Sequence, residues 1–277
     1  MAASQPGASQ LGQRVVTGVV LVAVALAALW AGGYPFAVLA AAAVLVMFTE
    51  WAAMHRLPLL LRRLGLAVLA AVVWVTAVMG APADALVLLG GGAGLIGLFA
   101  SRMSRIDGVG GSGRPMMLGL LYCGLPAVAL IWLRATSWGF YATLFVMAVV
   151  WGADVAAYFT GRAIGGRKLA PAISPNKTWS GAGGGLIGAL LVAGAMALWW
   201  PGYANQAGIG RLLVLAVPLA VVSILGDLYE SALKRRAGVK DSGNILPGHG
   251  GVMDRLDGLV PAAVAGAGAF ALTGWAG

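Results

Sequence analysis

The chain has 277 residues, of which 60% are hydrophobic and only 10% are charged, and its mean hydropathy is +0.90. Ordinary soluble domains carry about 25% charged residues, so this composition excludes that class and indicates a lipid environment. The net charge of +9 would suggest nucleic acid in a soluble protein. In a membrane protein it mainly records which loops face the cytoplasm, so we expect no nucleic-acid partner.

Nine apolar runs follow one another along the chain, each close to the roughly 20 residues that a membrane span requires. They are residues 15–31, 34–54, 64–80, 84–100, 115–133, 137–160, 181–200, 211–229 and 259–275. The sequence therefore predicts an all-α, polytopic membrane bundle of about nine transmembrane helices. We expect N-terminal scaffold helices in 1–114, middle helices leading to the site in 115–160, and a catalytic region in 161–277.

The basic residues indicate how the bundle is oriented. Alternate loops hold 16 of the 18 Lys and Arg residues, and only Arg134 and Arg211 fall on the other side. Because cytoplasmic loops are enriched in Lys and Arg, we expect a cytoplasmic N-terminus. The two richest polar segments, 161–180 and 230–258, then share the cytoplasmic face.

Two glycine patterns resemble nucleotide-binding fingerprints but lie inside apolar runs. Residues 92–97 and 183–188 both satisfy G-x-G-x-x-G, yet neither follows a predicted strand nor precedes a suitably spaced acidic residue. Small residues spaced in this way are typical of close helix packing. We therefore expect Gly181, Gly184, Gly185 and Gly188 to form a helix contact.

Asp154 lies near the end of the sixth run, where an ionisable group is costly unless it faces water, an ion or a partner. Asp154 and Tyr158 are four residues apart and share one helix face. Two interpretations remain open: a polar pair that joins helices, or one wall of a site. The second is favoured because a basic, glycine-containing segment follows directly.

The segment Ser174-Pro175-Asn176-Lys177-Thr178 is predicted to be a short loop. Its hydroxyls, amide and ammonium group are donors that suit a phosphate chain. Helix capping would also explain Thr178, but it would not explain Lys177.

Three aspartates flank the last apolar runs: Asp227 closes the eighth, and Asp254 and Asp257 open the ninth. On a helix, Asp254 and Asp257 would share one face, and a divalent cation would relieve their repulsion. Mg²⁺ takes one or two protein carboxylates and completes its shell with water and substrate phosphates. The alternative is that these aspartates only stabilise a helix N-terminus.

Between these aspartates lies a charged segment that is suited to a polyphosphate. Lys234, Arg235 and Lys240 supply cations, and glycines around His249 allow backbone N–H groups to approach an anion closely. His249 is expected to contact a phosphate or leaving group. Gly250 and Gly251 belong to the same turn.

The spacing of this segment resembles the C-terminal signature of the phosphatidate cytidylyltransferase, or CDP-diacylglycerol synthase, family. The resemblance consists of Ser231-x-x-Lys234-Arg235, Lys240-Asp241-x-Gly243, residues 247–251, and Asp254-Arg255-x-Asp257. It is close over about 150–260 and elsewhere only that of a multispan apolar chain. Many members have SPKKTWEG upstream, and this chain departs from that pattern at Asn176 and Ser180.

The resemblance implies transfer of CMP from CTP to phosphatidic acid, with Mg²⁺ and in some members K⁺. It implies metal binding by Asp227, Asp254 and Asp257. Lys240 and His249 complete the expected catalytic set. Substrate-binding candidates are Asp154, Tyr158, Ser174, Asn176, Lys177, Thr178, Lys234, Arg235, Asp241, Gly250, Gly251 and Arg255.

Two other functions are compatible with parts of this pattern. A CTP-dependent polyprenol or dolichol kinase would transfer the γ-phosphate to an alcohol, and an ion-coupled transporter would also place carboxylates in membrane helices. Clustering of the carboxylates at one face argues against a transporter. By family analogy we expect a bacterial inner-membrane protein with a cytoplasmic site, and the glycine-rich helices suggest a homodimer.

Overall fold

The structure is a computed structural model and describes residues 8–106, 111–246 and 248–274. Its helices are α1 (Ala8–Ala31), α2 (Gly33–Met54), α3 (Leu59–Ala77), α4 (Pro82–Ile106), α5 (Gly113–Ala135), α6 (Gly139–Ile164), α7 (Trp179–Trp199), α8 (Pro201–Ala207), α9 (Ile209–Ala237), α10 (Met253–Leu256) and α11 (Leu259–Thr273). Two strands, β1 (Lys168–Ala170) and β2 (Ser174–Thr178), form an antiparallel hairpin.

The all-α membrane bundle expected from the sequence is confirmed. Helices α2 to α7 and α9 include seven segments that are long and apolar enough to span a membrane by length and composition. Each of the nine predicted runs overlaps a helix, but Val15–Ala31 and Leu259–Thr273 are shorter apolar segments than the other seven. The exact number of nine spans therefore stays a prediction.

Apolar side chains form two large buried cores. The first centres on Phe48, Trp51 and Leu120 and joins α2 to α5. The second centres on Phe145 and Phe270 and joins α6, α7, α9 and α11. Helix α5 contributes to both cores, so it connects the N-terminal helices to the C-terminal ones.

The expected glycine contact is confirmed between α6 and α7. A Cβ atom at Gly184 would overlap the side chain of Thr160, and one at Gly188 would overlap Ala156. On the opposite face of α7, a Cβ atom at Gly183 would meet no atom within 4 Å. The glycines of one face thus let α7 approach α6 closely, which brings the start of α7 beside the end of α6.

Residues 174–178 differ from the predicted loop because they form strand β2. Lys168 pairs with Thr178 and Ala170 pairs with Ser174. The side chain of Thr178 also accepts a 3.1 Å hydrogen bond from the Gly181 N–H, so it caps α7. Pairing and capping together hold this polar segment rigidly against the end of α6.

Candidate active site

The structure brings the two polar segments into contact. Lys177 of β2 forms an ion pair with Asp227 of α9. Nearby, Arg235 Nε donates a 3.3 Å hydrogen bond to the carbonyl oxygen of Ile173. The hairpin and the last turns of α9 therefore form one polar surface.

Two further carboxylates lie near this ion pair: Asp154 from α6 and Asp257 from the junction of α10 and α11. Burial raises the pKa of Asp257 to about 7, and the charges of Asp227 and Asp154 contribute to the increase. The N–H of Gly258 and the ammonium of Lys177 act in the opposite direction. More negative charge is gathered here than Lys177 alone neutralises.

Gly226 allows α9 to approach the junction of α10 and α11. A Cβ atom at this position would overlap the carbonyl oxygen of Asp257 and contact the ring of Pro261. Because Asp227 follows Gly226 directly, the close approach places the Asp227 backbone beside that of Asp257.

The three aspartates proposed as metal ligands do not converge. Across the described ranges, no group of three or more His, Cys, Asp or Glu side chains could hold a metal ion. Asp227 and Asp257 do influence each other electrostatically, and two carboxylates are enough for Mg²⁺ when substrate and water supply the other ligands. The donor set at Asp227 and Asp257 therefore fits a hard divalent cation.

Asp254 is occupied by contacts within the protein. Its Oδ1 lies 2.6 Å from Lys234 Nζ, and its Oδ2 accepts from the N–H groups of Ser242 and Gly251, both at 2.8 Å. Burial favours a higher pKa, but the bonds from Lys234, Gly251 and Ser242 outweigh it and hold the pKa of Asp254 below its ordinary value. This carboxylate organises the preceding loop, and its assignment as a metal ligand stays a prediction.

Lys234 connects Asp254 to a second carboxylate that the sequence analysis did not select. Its Nζ lies 2.8 Å from Oε2 of Glu230, one turn earlier on α9. Glu230 is completely buried. Lys234, proposed as a substrate ligand, is therefore already engaged with two buried carboxylates.

Glu50 is the acidic residue that sequence reasoning most clearly missed. It lies just before the last turn of α2 and is only 4% exposed. Its carboxylate accepts hydrogen bonds from Ser242, Val252 and Met253, about 200 residues later in the chain. A buried charge inside an apolar run was the signal that could have revealed it.

The glycine turn approaches protein carboxylates. A Cβ atom at Gly250 would lie 2.8 Å from Asp254 Oδ2, and one at Gly251 would lie 2.7 Å from Glu50 Oε1. Gly250 also has φ of +82°, a left-handed conformation that favours glycine. These glycines are explained by packing against Asp254 and Glu50.

Beside this loop lies a polar cavity of about 460 Å³. Four predicted site residues with ionisable side chains line it: Lys240, Asp241, His249 and Arg255. The full lining is Lys240, Asp241, Asn244, Leu246, Gly248, His249, Gly250 and Arg255. The imidazole of His249 also faces α1, because its Nε2 would lie 3.5 Å from a Cβ atom at Gly18.

The upstream candidates are placed around the hairpin and the end of α6. Asn176 is exposed and Ser174 is half-buried on β2. Tyr158 is exposed, and its hydroxyl accepts a 3.0 Å hydrogen bond from Arg162 Nη1. The Tyr158 hydroxyl thus pairs with the residue one turn after it on α6.

An apolar cavity of about 580 Å³ lies between α5, α9 and α11. It reaches Gly226, the residue directly before Asp227. The lining consists of Leu118, Leu121, Tyr122, Leu125, Pro126, Val222, Leu225, Gly226, Tyr229, Val260, Pro261, Val264 and Ala265. A long apolar group in this cavity would end beside the acidic site.

Known proteins are similar to this chain over nearly its whole length. The model of the cytidylyltransferase family matches residues 12–272. A phosphatidate cytidylyltransferase of Brucella suis is 43% identical over 265 residues, which cover 92% of this chain and 91% of the relative. Relatives of the same name from Pseudomonas aeruginosa and Haemophilus influenzae are 42% and 46% identical over 167 and 129 residues, covering 60% and 45% of this chain and 60% and 43% of the relatives.

Proposed function

The chain belongs to the cytidylyltransferase family, and from this membership we propose that it transfers the cytidylyl group of CTP to phosphatidic acid. The products are CDP-diacylglycerol and pyrophosphate. The family expected from the motifs in 231–257 is thereby confirmed. The choice of substrates is supported by the apolar cavity that ends beside Asp227. The cavity wall suits an acyl chain, and the neighbouring acidic site suits the reacting phosphates.

The reaction requires charge neutralisation more than proton transfer. A phosphate monoester has a second pKa of about 6, so the phosphatidate oxygen is already an ionised nucleophile at neutral pH. It attacks the α-phosphorus of CTP, a new P–O bond forms, and the bond to the β-phosphate oxygen breaks. Pyrophosphate leaves with the electron pair of that bond.

Basic residues of the two polar segments would hold the phosphates. Lys177, which pairs with Asp227 in the ligand-free protein, would donate to a phosphate oxygen at the acidic site. Lys240 and Arg255 line the polar cavity with His249, which suits the triphosphate of CTP. In-line phosphoryl transfer depends mainly on such positioning and electrostatic stabilisation.

Asp227 and Asp257 would hold Mg²⁺, and bound Mg²⁺ would neutralise charge on the reacting phosphates. This assignment is supported by the raised pKa of Asp257, which burial causes first and the nearby charges of Asp227 and Asp154 increase further. Asp154 would contribute to the same negative field. A second cation such as K⁺ is kept only as a family-based expectation.

The lipid substrate would reach the site from within the bilayer. One acyl chain would lie in the cavity lined by α5, α9 and α11, which is apolar along nearly all of its wall. The headgroup phosphate would then lie near Gly226 and Asp227. We propose an inner-membrane location with the site facing the cytoplasm, where CTP is available, and a homodimer as the assembly.

The decisive experiment uses purified protein in detergent with phosphatidic acid, Mg²⁺ and CTP. CTP is labelled either in the base or on the γ-phosphate. Base label should enter the lipid, and γ-label should leave as pyrophosphate. The matched variants are Asp227→Asn and Asp84→Asn, which is an exposed position in the first turn of α4.

The same experiment tests the rival activities. Transfer of γ-label to an added polyprenol would replace this proposal with a lipid kinase. Absence of label transfer to any lipid by the wild-type protein would contradict both activities and would direct attention to transport. Equal loss of activity in Asp227→Asn and Asp84→Asn would contradict the assigned role of Asp227.

A further inference from the structure

Glu50 joins a helix of the N-terminal part of the chain to the loop between α9 and α10. Its Oε1 accepts a 2.9 Å hydrogen bond from the Val252 N–H. Its Oε2 accepts from the Met253 N–H at 2.8 Å and from the Ser242 hydroxyl at 3.0 Å. One buried carboxylate thus holds both ends of the loop 242–252.

The loop backbone is built closely around this carboxylate. Cβ atoms at Gly243 and Gly251 would each lie 2.7 Å from Glu50 Oε1. Side chains at these two positions would displace the loop or the carboxylate. Glycine at these two positions therefore leaves the space that the Glu50 carboxylate occupies, which supports its role independently of the hydrogen bonds.

The segment held by Glu50 also forms the wall of the polar cavity. Ser242 follows Asp241, and Met253 lies two residues before Arg255; Asp241 and Arg255 both line that cavity. From the other side, Asp254 Oδ2 accepts from the Ser242 N–H and the Gly251 N–H. Glu50 and Asp254 together determine where the cavity wall lies.

We propose that Glu50 is a positioning residue that fixes this loop for binding the triphosphate of CTP. The inference rests on the proposed function, because that function assigns the polar cavity to the nucleotide. A carboxylate is needed because each of its oxygens accepts from a backbone N–H, Oε1 from Val252 and Oε2 from Met253. A glutamine would turn an NH₂ group toward at least one of them, and a donor facing a donor would displace the loop.

The first test compares the steady-state kinetics of Glu50→Gln with those of Thr49→Val. Thr49 is the preceding residue on α2, and its hydroxyl donates a 2.8 Å hydrogen bond to the carbonyl oxygen of Val46, within its own helix. Glu50→Gln should raise KM for CTP by about tenfold or more, the scale expected for losing a hydrogen bond to a charged group. KM for phosphatidic acid should change less than about twofold, and Thr49→Val should match the wild type.

A purely structural role would reduce the amount of active enzyme, and so the apparent kcat, without a selective change in KM for CTP. That result, or an unchanged KM, would overturn the proposal. Ser242→Ala provides a second variant that leaves α2 intact; it removes a hydroxyl that lies 3.0 Å from both Glu50 Oε2 and Asp254 Oδ2. It should raise KM for CTP in the same direction but by less, and an unaltered KM in both variants would contradict the role of the loop.

A second test does not require activity. Hydrogen exchange in the ligand-free protein should show the amides of Val252 and Met253 exchanging about tenfold faster or more in Glu50→Gln. Exchange in α7 should be unchanged, and Thr49→Val should again match the wild type. If the wild type transfers no cytidylyl group, the proposed function is wrong. Hydrogen exchange still tests, independently of activity, whether Glu50 protects the loop amides.

Discussion

The ammonium group of Lys234 lies 2.6 Å from Oδ1 of Asp254 and so joins the last turns of α9 to α10. The same ammonium group contacts the buried Glu230. Removing one partner from a buried ion pair leaves an uncompensated charge and costs about 3–5 kcal/mol. The contacts of Lys234 therefore lead to a prediction about folding as well as activity.

Lys234→Met should lower the free energy of unfolding by about 3 kcal/mol, because it leaves two buried carboxylates without their cation. Thermal unfolding in detergent would measure the loss. Arg236→Met, at an exposed position two residues later, is the matched control and should unfold like the wild type. Adding Glu230→Gln to Lys234→Met should recover part of the stability; no recovery would contradict this explanation.

Asp227→Asn should reduce the rate of cytidylyl transfer by about 100-fold or more, the scale typical of losing a group that stabilises transition-state charge. The substitution removes the charge that pairs with Lys177 while keeping the shape of the side chain. Turnover at saturating Mg²⁺ is the measurement. Activity within about threefold of the wild type under those conditions would disprove the role of Asp227.

Stability without Mg²⁺ should depend on pH through Asp257. Its pKa is about 7 in the folded protein, compared with an ordinary value of 3.8, so the folded state retains a proton that the unfolded chain has lost. The free energy of unfolding contributed by this group therefore falls as pH rises from about 4 to about 7, and it is constant above that range.

Asp257→Asn removes this dependence, so its Tm in EDTA should exceed that of the wild type by more at pH 8 than at pH 5.5. Added Mg²⁺ at pH 8 should stabilise the wild type more than the variant. A Tm difference that is the same at both pH values would show that Asp257 does not hold the extra proton.

Filling the apolar cavity should weaken binding of long-chain lipid. Val264→Trp would narrow the cavity between α5, α9 and α11. Losing contacts equivalent to two methylene groups, at about 0.8 kcal/mol each, would raise KM for long-chain phosphatidic acid by about tenfold. Short-chain substrates should be much less affected.

The control for this prediction is Val221→Trp, because Val221 is similarly exposed but does not line the cavity. It should leave KM for both chain lengths unchanged. The cavity would be excluded as the acyl site if the two substitutions changed KM equally. It would also be excluded if Val264→Trp changed KM equally for short-chain and long-chain phosphatidic acid.

The packing of α6 against α7 can be tested with two neighbouring glycines. Gly184→Ala should lower the free energy of unfolding by about 1–3 kcal/mol, because the new methyl group would overlap Thr160. Gly183→Ala faces open space and should unfold at or above the wild-type temperature. Thermal unfolding of both variants is the measurement, and identical behaviour would contradict this helix contact.

Composition and local spacing were sufficient to predict the bundle and its family. Long apolar runs predict helices because backbone groups in lipid must be paired within the segment. The charged residues of 231–257 are close together in the chain, so their spacing could be recognised without a fold. The glycines at 181, 184, 185 and 188 were likewise readable from helical periodicity.

Contacts between distant parts of the chain could not be predicted in this way. Helical spacing led us to expect repulsion between Asp254 and Asp257. In the structure, Asp254 pairs with Lys234, and the pKa of Asp257 is raised by burial and by the charge of Asp227. Strand β2 depends on pairing with β1, which an isolated polar segment does not reveal. Local spacing does not specify which distant group neutralises a charge.

Hydropathy and motif spacing are local properties, so they were enough to predict a helical membrane protein with a charged, glycine-rich segment characteristic of cytidylyltransferases. The contacts of Glu50 with that segment and of Lys177 with Asp227 become visible only in the folded bundle. Such contacts depend on how helices pack across some 50 to 200 residues of chain. A buried charge must be paired, and it takes its partner from whichever element the packed bundle brings within hydrogen-bond distance.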